Sequence, residues 1–205
     1  MADGSPRLFV AVPLPPDAAA SCRSVVEAVR DGPAGRAPRW VELSGLHLTL
    51  RFLGPTRSAL VPAVADAVRA AIEGRPAFEV ELAGAGAFPA SARPRVLWLA
   101  IASGGDRLEE LARALDNPLE PLGWPPDGRP YRPHLTVART DAASHVDGQA
   151  AAWALEEAAR DWRTRFTADR VTLYRSHLGR GPSKYEPLLE VPLAGPGLMP
   201  GAPDR

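Results

Sequence analysis

Between residues 78 and 101, and again between 166 and 191, strand-like segments follow one another with no helical pattern between them. That succession constrains the fold more than any other feature of the chain. Parallel neighbours in a sheet need a crossover of a dozen or more residues, usually a helix. Strands that succeed one another directly therefore predict antiparallel or mixed sheets with helices laid outside them, an α+β arrangement rather than a doubly wound parallel sheet. Phe78-Glu-Val-Glu-Leu82 alternates as a half-buried strand does, and Val96-Leu-Trp-Leu-Ala-Ile101 is apolar throughout, as a central strand is. Strands around Val171-Thr-Leu-Tyr174 and Leu188-Leu-Glu-Val191 close the series.

Arg7-Leu-Phe-Val-Ala-Val-Pro13 reads as a buried strand closed by a proline-rich turn, and Arg39 to Glu42 as a second extended segment. From Asp17 to Arg30 the chain sets Cys22, Val25, Val26 and Val29 on one helical face, with Gly32 as a stop. Ser58 is a candidate cap for a helix running to Glu73, with Pro62 early enough to be tolerated. Asp106 and Glu109 have capping-box spacing ahead of Leu108, Leu111 and Leu115. A further helix is expected from Ala150 to Arg163, with Leu155, Ala159 and Trp162 on one face; Asn117 to Pro133 reads as loop.

The chemistry is carried by a short internal repeat. His47-Leu48-Thr49-Leu50 recurs as His134-Leu135-Thr136-Val137, each in a predicted strand. A given histidine is followed by Leu-Thr-aliphatic about once in 500 times by composition, so two copies in one chain are not an accident. In a strand, residues i and i+2 share a face, so each copy presents an imidazole and a hydroxyl while its aliphatic residues turn into a core. Two such faces across a groove would surround a small anion. One imidazole can take a proton from water while the other protonates a departing alkoxide, which is what phosphodiester hydrolysis without metal needs. The threonines can donate to nonbridging oxygens. Arg139 could add charge, but strict alternation turns it away from His134, so a twist or bulge is needed to bring it round.

Other chemistries fit less well. There is no His-x-His, no His-Glu-x-x-His, no cysteine cluster for zinc and no Gly-x-Ser-x-Gly elbow for a serine nucleophile. His145 and His177 lack the repeat and read as surface or structural; Arg51, Arg132 and Arg139 could each be a solvated charge. The 24 basic and 24 acidic residues cancel, so no global field holds a polyanion and any nucleic-acid contact must be local. Cys22, the only cysteine, excludes an internal disulfide and fits a reducing compartment. The apolar run Leu8 to Leu14 is too short for a signal core or a membrane span, so a cytoplasmic protein without membrane contact is expected.

The chain resembles the RNA 2',3'-cyclic phosphodiesterases, also called 2'-5' RNA ligases, of the two-histidine HxTx phosphoesterase superfamily. The resemblance rests on Arg7 to Pro15, His47 to Gly54, Phe88-Pro89 to Arg95-Val-Leu-Trp98, Arg132 to Arg139 and a closing segment from Ser176 to Tyr185. It implies a bilobal α+β fold with two pseudo-symmetric sheets lining a central groove. A single such domain over residues 1–194, with a flexible tail over 195–205, is the organisation expected. It also implies no metal requirement, and RNA ends bearing 2',3'-cyclic phosphate, or small cyclic nucleotides, as partners; a monomer without a cofactor is expected. By the same resemblance His47 is the proton donor to the leaving 3'-oxygen, His134 the proton acceptor from water, and Thr49, Thr136 and Arg139 bind the phosphate. The product would be a 2'-phosphate, with 2'-5' ligation as the reverse reaction. A phosphodiesterase for another small cyclic diester, and a non-catalytic module that binds RNA ends, remain as rival readings.

Overall fold

The computed structural model describes residues 5–141, 145–177 and 183–195, and of 145–147 the backbone alone. Its strands form two antiparallel sheets. In one, β1 (Arg7–Pro13), β3 (His47–Pro55), β8 (Arg170–His177) and β9 (Lys184–Pro192) lie in the order β3-β1-β8-β9. In the other, β2 (Arg39–Trp40), β4 (Phe78–Phe88), β5 (Val96–Ser103), β6 (His134–Arg139) and β7 (Arg163–Ala168) lie in the order β2-β6-β5-β4-β7. The succession at 78–101 is the hairpin β4–β5. That at 166–191 divides: β7 joins β4 in one sheet, and the chain then crosses to form the hairpin β8–β9 in the other.

The sheets repeat each other. Each motif strand pairs antiparallel with a strand that comes before it in the chain, β3 with β1 and β6 with β5. Helices α1 (Pro16–Arg30) and α5 (His145–Ala158) cover the five-stranded sheet at β7 and β4, while α2 (Val61–Ile72) and α3 (Gly105–Ala114) cover the other at β8, β9 and β3. The buried side chains of both sheets form one continuous cluster, in which Leu48, Leu97, Leu99, Leu135 and Leu173 are wholly enclosed.

Local chemistry explains where the elements begin and end. In α1 the expected face, Cys22, Val25, Val26 and Val29, is buried. Ser58 does not cap α2: it opens a 3₁₀ turn, and the helix starts at Val61 with Pro62 in its first turn, where a missing N–H costs nothing. Nor does Asp106 cap α3. Gly104 holds the capping position at φ +80, where a Cβ would lie 2.5 Å from the Glu79 carbonyl, and Asp106 falls in the first turn against the positive end of the helix. The last helix ends at Ala158, short of Trp162, whose indole instead donates to Ser21 Oγ of α1 at 3.0 Å. A one-turn helix, α4 (Asp116–Leu119), interrupts the expected loop. The His145 side chain, residues 178–182 of the closing segment and the tail beyond Gly195 lie outside the described residues. No helix among the described residues is long and apolar enough to cross a membrane.

Candidate active site

The two motif strands meet where the sheets meet. β3 is an edge strand, and it touches β6 without pairing to it. The loop leading into β6 binds this edge: the Tyr131 hydroxyl donates to the Thr49 carbonyl at 2.9 Å, and the Trp124 indole to that of Leu53 at 2.8 Å. Edge strands present unpaired backbone groups that must be satisfied, and here side chains do it. Arg51 completes the strap by pairing with Asp116 at 3.0 Å and donating to the Pro125 carbonyl. Its side chain is only 13% exposed, so it is a structural ion pair rather than a solvated charge.

Both motifs carry the same irregularity. Val10 faces Arg51 and Ala11 faces Thr49, which leaves Leu50 unmatched; Leu97 faces Ala138 and Trp98 faces Thr136, which leaves Val137 unmatched. Each bulge falls on the fourth residue of its motif. A bulged residue shifts the alternation by one, so the sixth position returns to the side of the histidine. That position is Phe52 in the first copy and Arg139 in the second. Arg139 therefore comes round to the groove through the bulge its placement required.

The histidines are held alike. Nδ1 of His47 bonds the Gly45 carbonyl at 2.7 Å, and Nδ1 of His134 bonds the Arg132 carbonyl at 2.6 Å. A carbonyl only accepts, so each Nδ1 carries hydrogen and Nε2 is left as the nitrogen that titrates. His47 packs on Phe9, ring centroids 4.7 Å apart, and meets Tyr185 edge-on at 5.0 Å. His134 meets Phe88 edge-on at 5.0 Å. Burial lowers both imidazole pKa values from the ordinary 6.5, partly offset by the carbonyl bonds; at His134 the charge of Arg139 lowers the value further.

A cavity of about 410 Å³ opens between the sheets, and His47, Thr49, Phe52, Thr136, Arg139 and Tyr185 are in its wall. His134 is not. It lies on β6 two residues before Thr136, facing the same way, and stands beside the lining rather than in it. The volume suits a small ligand of nucleotide size. Among the described residues, no three or more His, Cys, Asp or Glu side chains gather as metal ligands would. His177 is exposed and bonds Glu186 at 2.8 Å, and it is not in the cavity wall.

Several residues of this wall carry no motif. Tyr185 packs on His47, and its hydroxyl is close enough to Arg139 to feel that charge, while burial raises its pKa. Gly45 carries the His47 bond and leaves room for that ring: a Cβ there would lie 3.0 Å from Tyr185. Behind His134, Phe88 leans on Trp98, which Gly86 admits, since a Cβ would meet the indole at 2.5 Å. Phe88, Trp98 and Tyr185 lie in segments that carry the family resemblance, but neither periodicity nor motif spacing in the sequence brings them to the histidines.

What this geometry defines is a class: a protein that sets two imidazoles of one tautomer on a duplicated strand motif, as the HxTx resemblance implies. Comparison with known proteins places it within a family. The chain belongs to the 2'-5' RNA ligase superfamily, whose profile matches residues 14–180. It is 29% identical over 189 residues to the RNA 2',3'-cyclic phosphodiesterase of Geobacillus stearothermophilus, covering 91% of this chain and 57% of that protein. The chain spans less than two thirds of the length of that and of other curated relatives. Among solved structures, the TT0787 protein of Thermus thermophilus is 27% identical with a TM-score of 0.70, covering 92% of this chain and 98% of that one. Escherichia coli LigT, in complex with 3'-AMP, is likewise 27% identical, with a TM-score of 0.67 and the same coverage.

Proposed function

We propose that the chain hydrolyses the 2',3'-cyclic phosphate at an RNA end to a 2'-phosphate by acid and base catalysis, without a metal. In this reading Nε2 of His134 takes a proton from water and the water oxygen bonds to phosphorus. The bond from phosphorus to the 3'-oxygen breaks, and Nε2 of His47 protonates that oxygen, leaving a 3'-hydroxyl. Thr49, Thr136 and Arg139 hold the nonbridging oxygens. The observation that carries the proposal is the duplicated fixing of Nδ1 by a backbone carbonyl, which leaves two Nε2 atoms free to hold opposite protonation states beside two hydroxyls and a guanidinium.

The division of labour has its own support. A general acid must touch the leaving oxygen, and His47 is in the cavity wall; His134 shares its strand with Thr136 and Arg139 of that wall, where a base can reach an attacking water. The names of the Geobacillus relative and the 3'-AMP complex of Escherichia coli LigT agree with a nucleotide phosphate as ligand. By microscopic reversibility, a 5'-hydroxyl in place of water would let the same pair run the reaction backwards to a 2'-5' linkage.

The test is hydrolysis of a short oligonucleotide ending in a 2',3'-cyclic phosphate, with EDTA present, by wild type, His47→Ala and His134→Ala. A 2'-phosphate product whose rate falls roughly 10²- to 10⁴-fold in each variant is expected. A 3'-phosphate product, or wild-type activity lost to EDTA, would overturn the mechanism. Binding without turnover at any pH would favour an RNA-end binding module instead.

A further inference from the structure

We infer that Tyr185 is a positioning residue that joins the two halves of the site: its ring fixes the plane of His47, and its hydroxyl holds the guanidinium of Arg139 in the groove. The inference rests on the acid and base reading of the histidines, and it names what sets the acid and the phosphate ligand relative to each other.

His47 and Tyr185 lie on opposite edges of the four-stranded sheet, β3 and β9, with β1 and β8 between them. Three strand spacings put those edges about 14 Å apart in a flat sheet. The two ring centroids are 5.0 Å apart with an interplanar angle of 86°, so both side chains lean inward over one face and meet in the cavity wall. Edge-to-face contact is a favoured arrangement of such rings. Phe9 closes the corner, 4.7 Å from His47 and 5.2 Å from Tyr185. Gly45, whose carbonyl takes the Nδ1 hydrogen of His47, is also the residue that makes room for Tyr185. One hydrogen bond fixes a point of the imidazole; two rings against it fix its plane.

Arg139 belongs to the other sheet and is exposed. No ion pair among the described residues includes it, and Asp141, two residues on, is paired with Arg39 at 3.0 Å. Its guanidinium shares the cavity wall with the Tyr185 hydroxyl. Burial raises the pKa of that phenol and the charge of Arg139 draws it partly back, so the phenol keeps its proton within the field of the guanidinium. A guanidinium only donates, and a phenol oxygen accepts. Held in this way, Arg139 offers its remaining donors to a phosphate with less rotamer freedom left to lose. The other charged groups of the wall are Arg7 and Glu42, and Tyr174 stands 6.0 Å from the imidazole; substitutions at Tyr185 leave all of them in place.

The test separates ring from hydroxyl. In the ligand-free protein, the pKa of His47 followed by NMR should rise toward 6.5 in Tyr185→Ala, which uncovers the imidazole, and keep its wild-type value in Tyr185→Phe. Affinity for inorganic phosphate, and kcat/KM on an oligonucleotide ending in a 2',3'-cyclic phosphate, should each fall about tenfold in Tyr185→Phe, as loss of one hydrogen bond to a charged group does. The same substitution should change neither when made in Arg139→Gln, because the hydroxyl acts through that side chain. An unmoved His47 pKa in Tyr185→Ala, wild-type phosphate affinity in Tyr185→Phe, or an undiminished loss in the Arg139→Gln background would overturn the inference. A wild type that binds phosphate and turns over no cyclic phosphate would remove the proposed reaction, while the titration and the phosphate affinities, read without turnover, would still decide the role of Tyr185.

Discussion

The two halves of the groove share a backbone and differ in what they hang on it. Each has a histidine anchored through Nδ1 to a carbonyl two residues back, a threonine two residues on, and a bulge at the fourth motif residue. Around His47 the surroundings are aromatic: Phe9, Tyr174 and Tyr185 enclose the ring. Around His134 they are cationic on one side, with Arg139 at the position Phe52 holds in the first half, and Phe88 on the other. Duplicated geometry sets two imidazoles in equivalent positions; the sixth motif position makes their surroundings unlike.

If the halves do divide the reaction, the largest test is a change of leaving group. A cyclic phosphate with sulfur in place of the 3'-oxygen expels a thiolate, which needs no protonation. His47→Ala should then recover most of its roughly 10²- to 10⁴-fold loss on this substrate, and His134→Ala should not. Recovery in the His134 variant alone would exchange the roles. Thr49→Ala and Thr136→Ala come next, each expected to cost roughly tenfold to a hundredfold in kcat/KM, the worth of one hydrogen bond to a charged group. Either threonine variant losing more than both histidine variants would break the proposed division between proton transfer and phosphate binding.

Half of this difference is written in local sequence signals and half in contacts between strands. β1 and β6 have the limits their apolar runs predict, and both HxTx strands were legible because a repeated motif and a two-residue alternation are local signals. The bulges at Leu50 and Val137 were not, since a bulge is defined by the partner strand; Arg139 could be placed only once Trp98 was seen opposite Thr136. The split of 166–191 between two sheets was equally hidden, because β7 and β8 follow each other almost without a break. Tyr185 and Tyr131 reach the motif strands through tertiary contacts at a distance along the chain, where composition and periodicity carry no trace.

The electrostatic difference between the halves is open to titration. Burial lowers both imidazole pKa values from 6.5 in the free protein, so the form with one of them protonated is most populated below that pH. The kcat/KM profile, which reports the free enzyme, should peak below 6.5 and fall on the alkaline side as the acid loses its proton. Arg139→Gln removes a charge that disfavours protonated His134, so the pKa of His134 should rise. With His134 as base, the acid limb of the profile moves to higher pH and the alkaline limb stays. Movement of the alkaline limb alone would make His134 the acid.

The smallest effect concerns what holds the halves in register. The Tyr131 hydroxyl, three residues before His134, is bonded to the carbonyl of Thr49 in the other motif, so one hydrogen bond ties the two copies together. Removing it in Tyr131→Phe leaves that carbonyl without this donor and should cost about 1 kcal/mol. For a chain of this size that lowers Tm by roughly 2 to 4 °C. Trp124→Phe, which removes the parallel bond to Leu53, should do much the same, and the two losses should be less than additive, because once one anchor goes the loop can leave the edge of β3 without the other. A kcat loss in Tyr131→Phe at temperatures well below melting would mean that the strap sets the spacing of the two motifs as well as their stability. Melting and kinetics both equal to wild type would mean that the shared core alone aligns the halves.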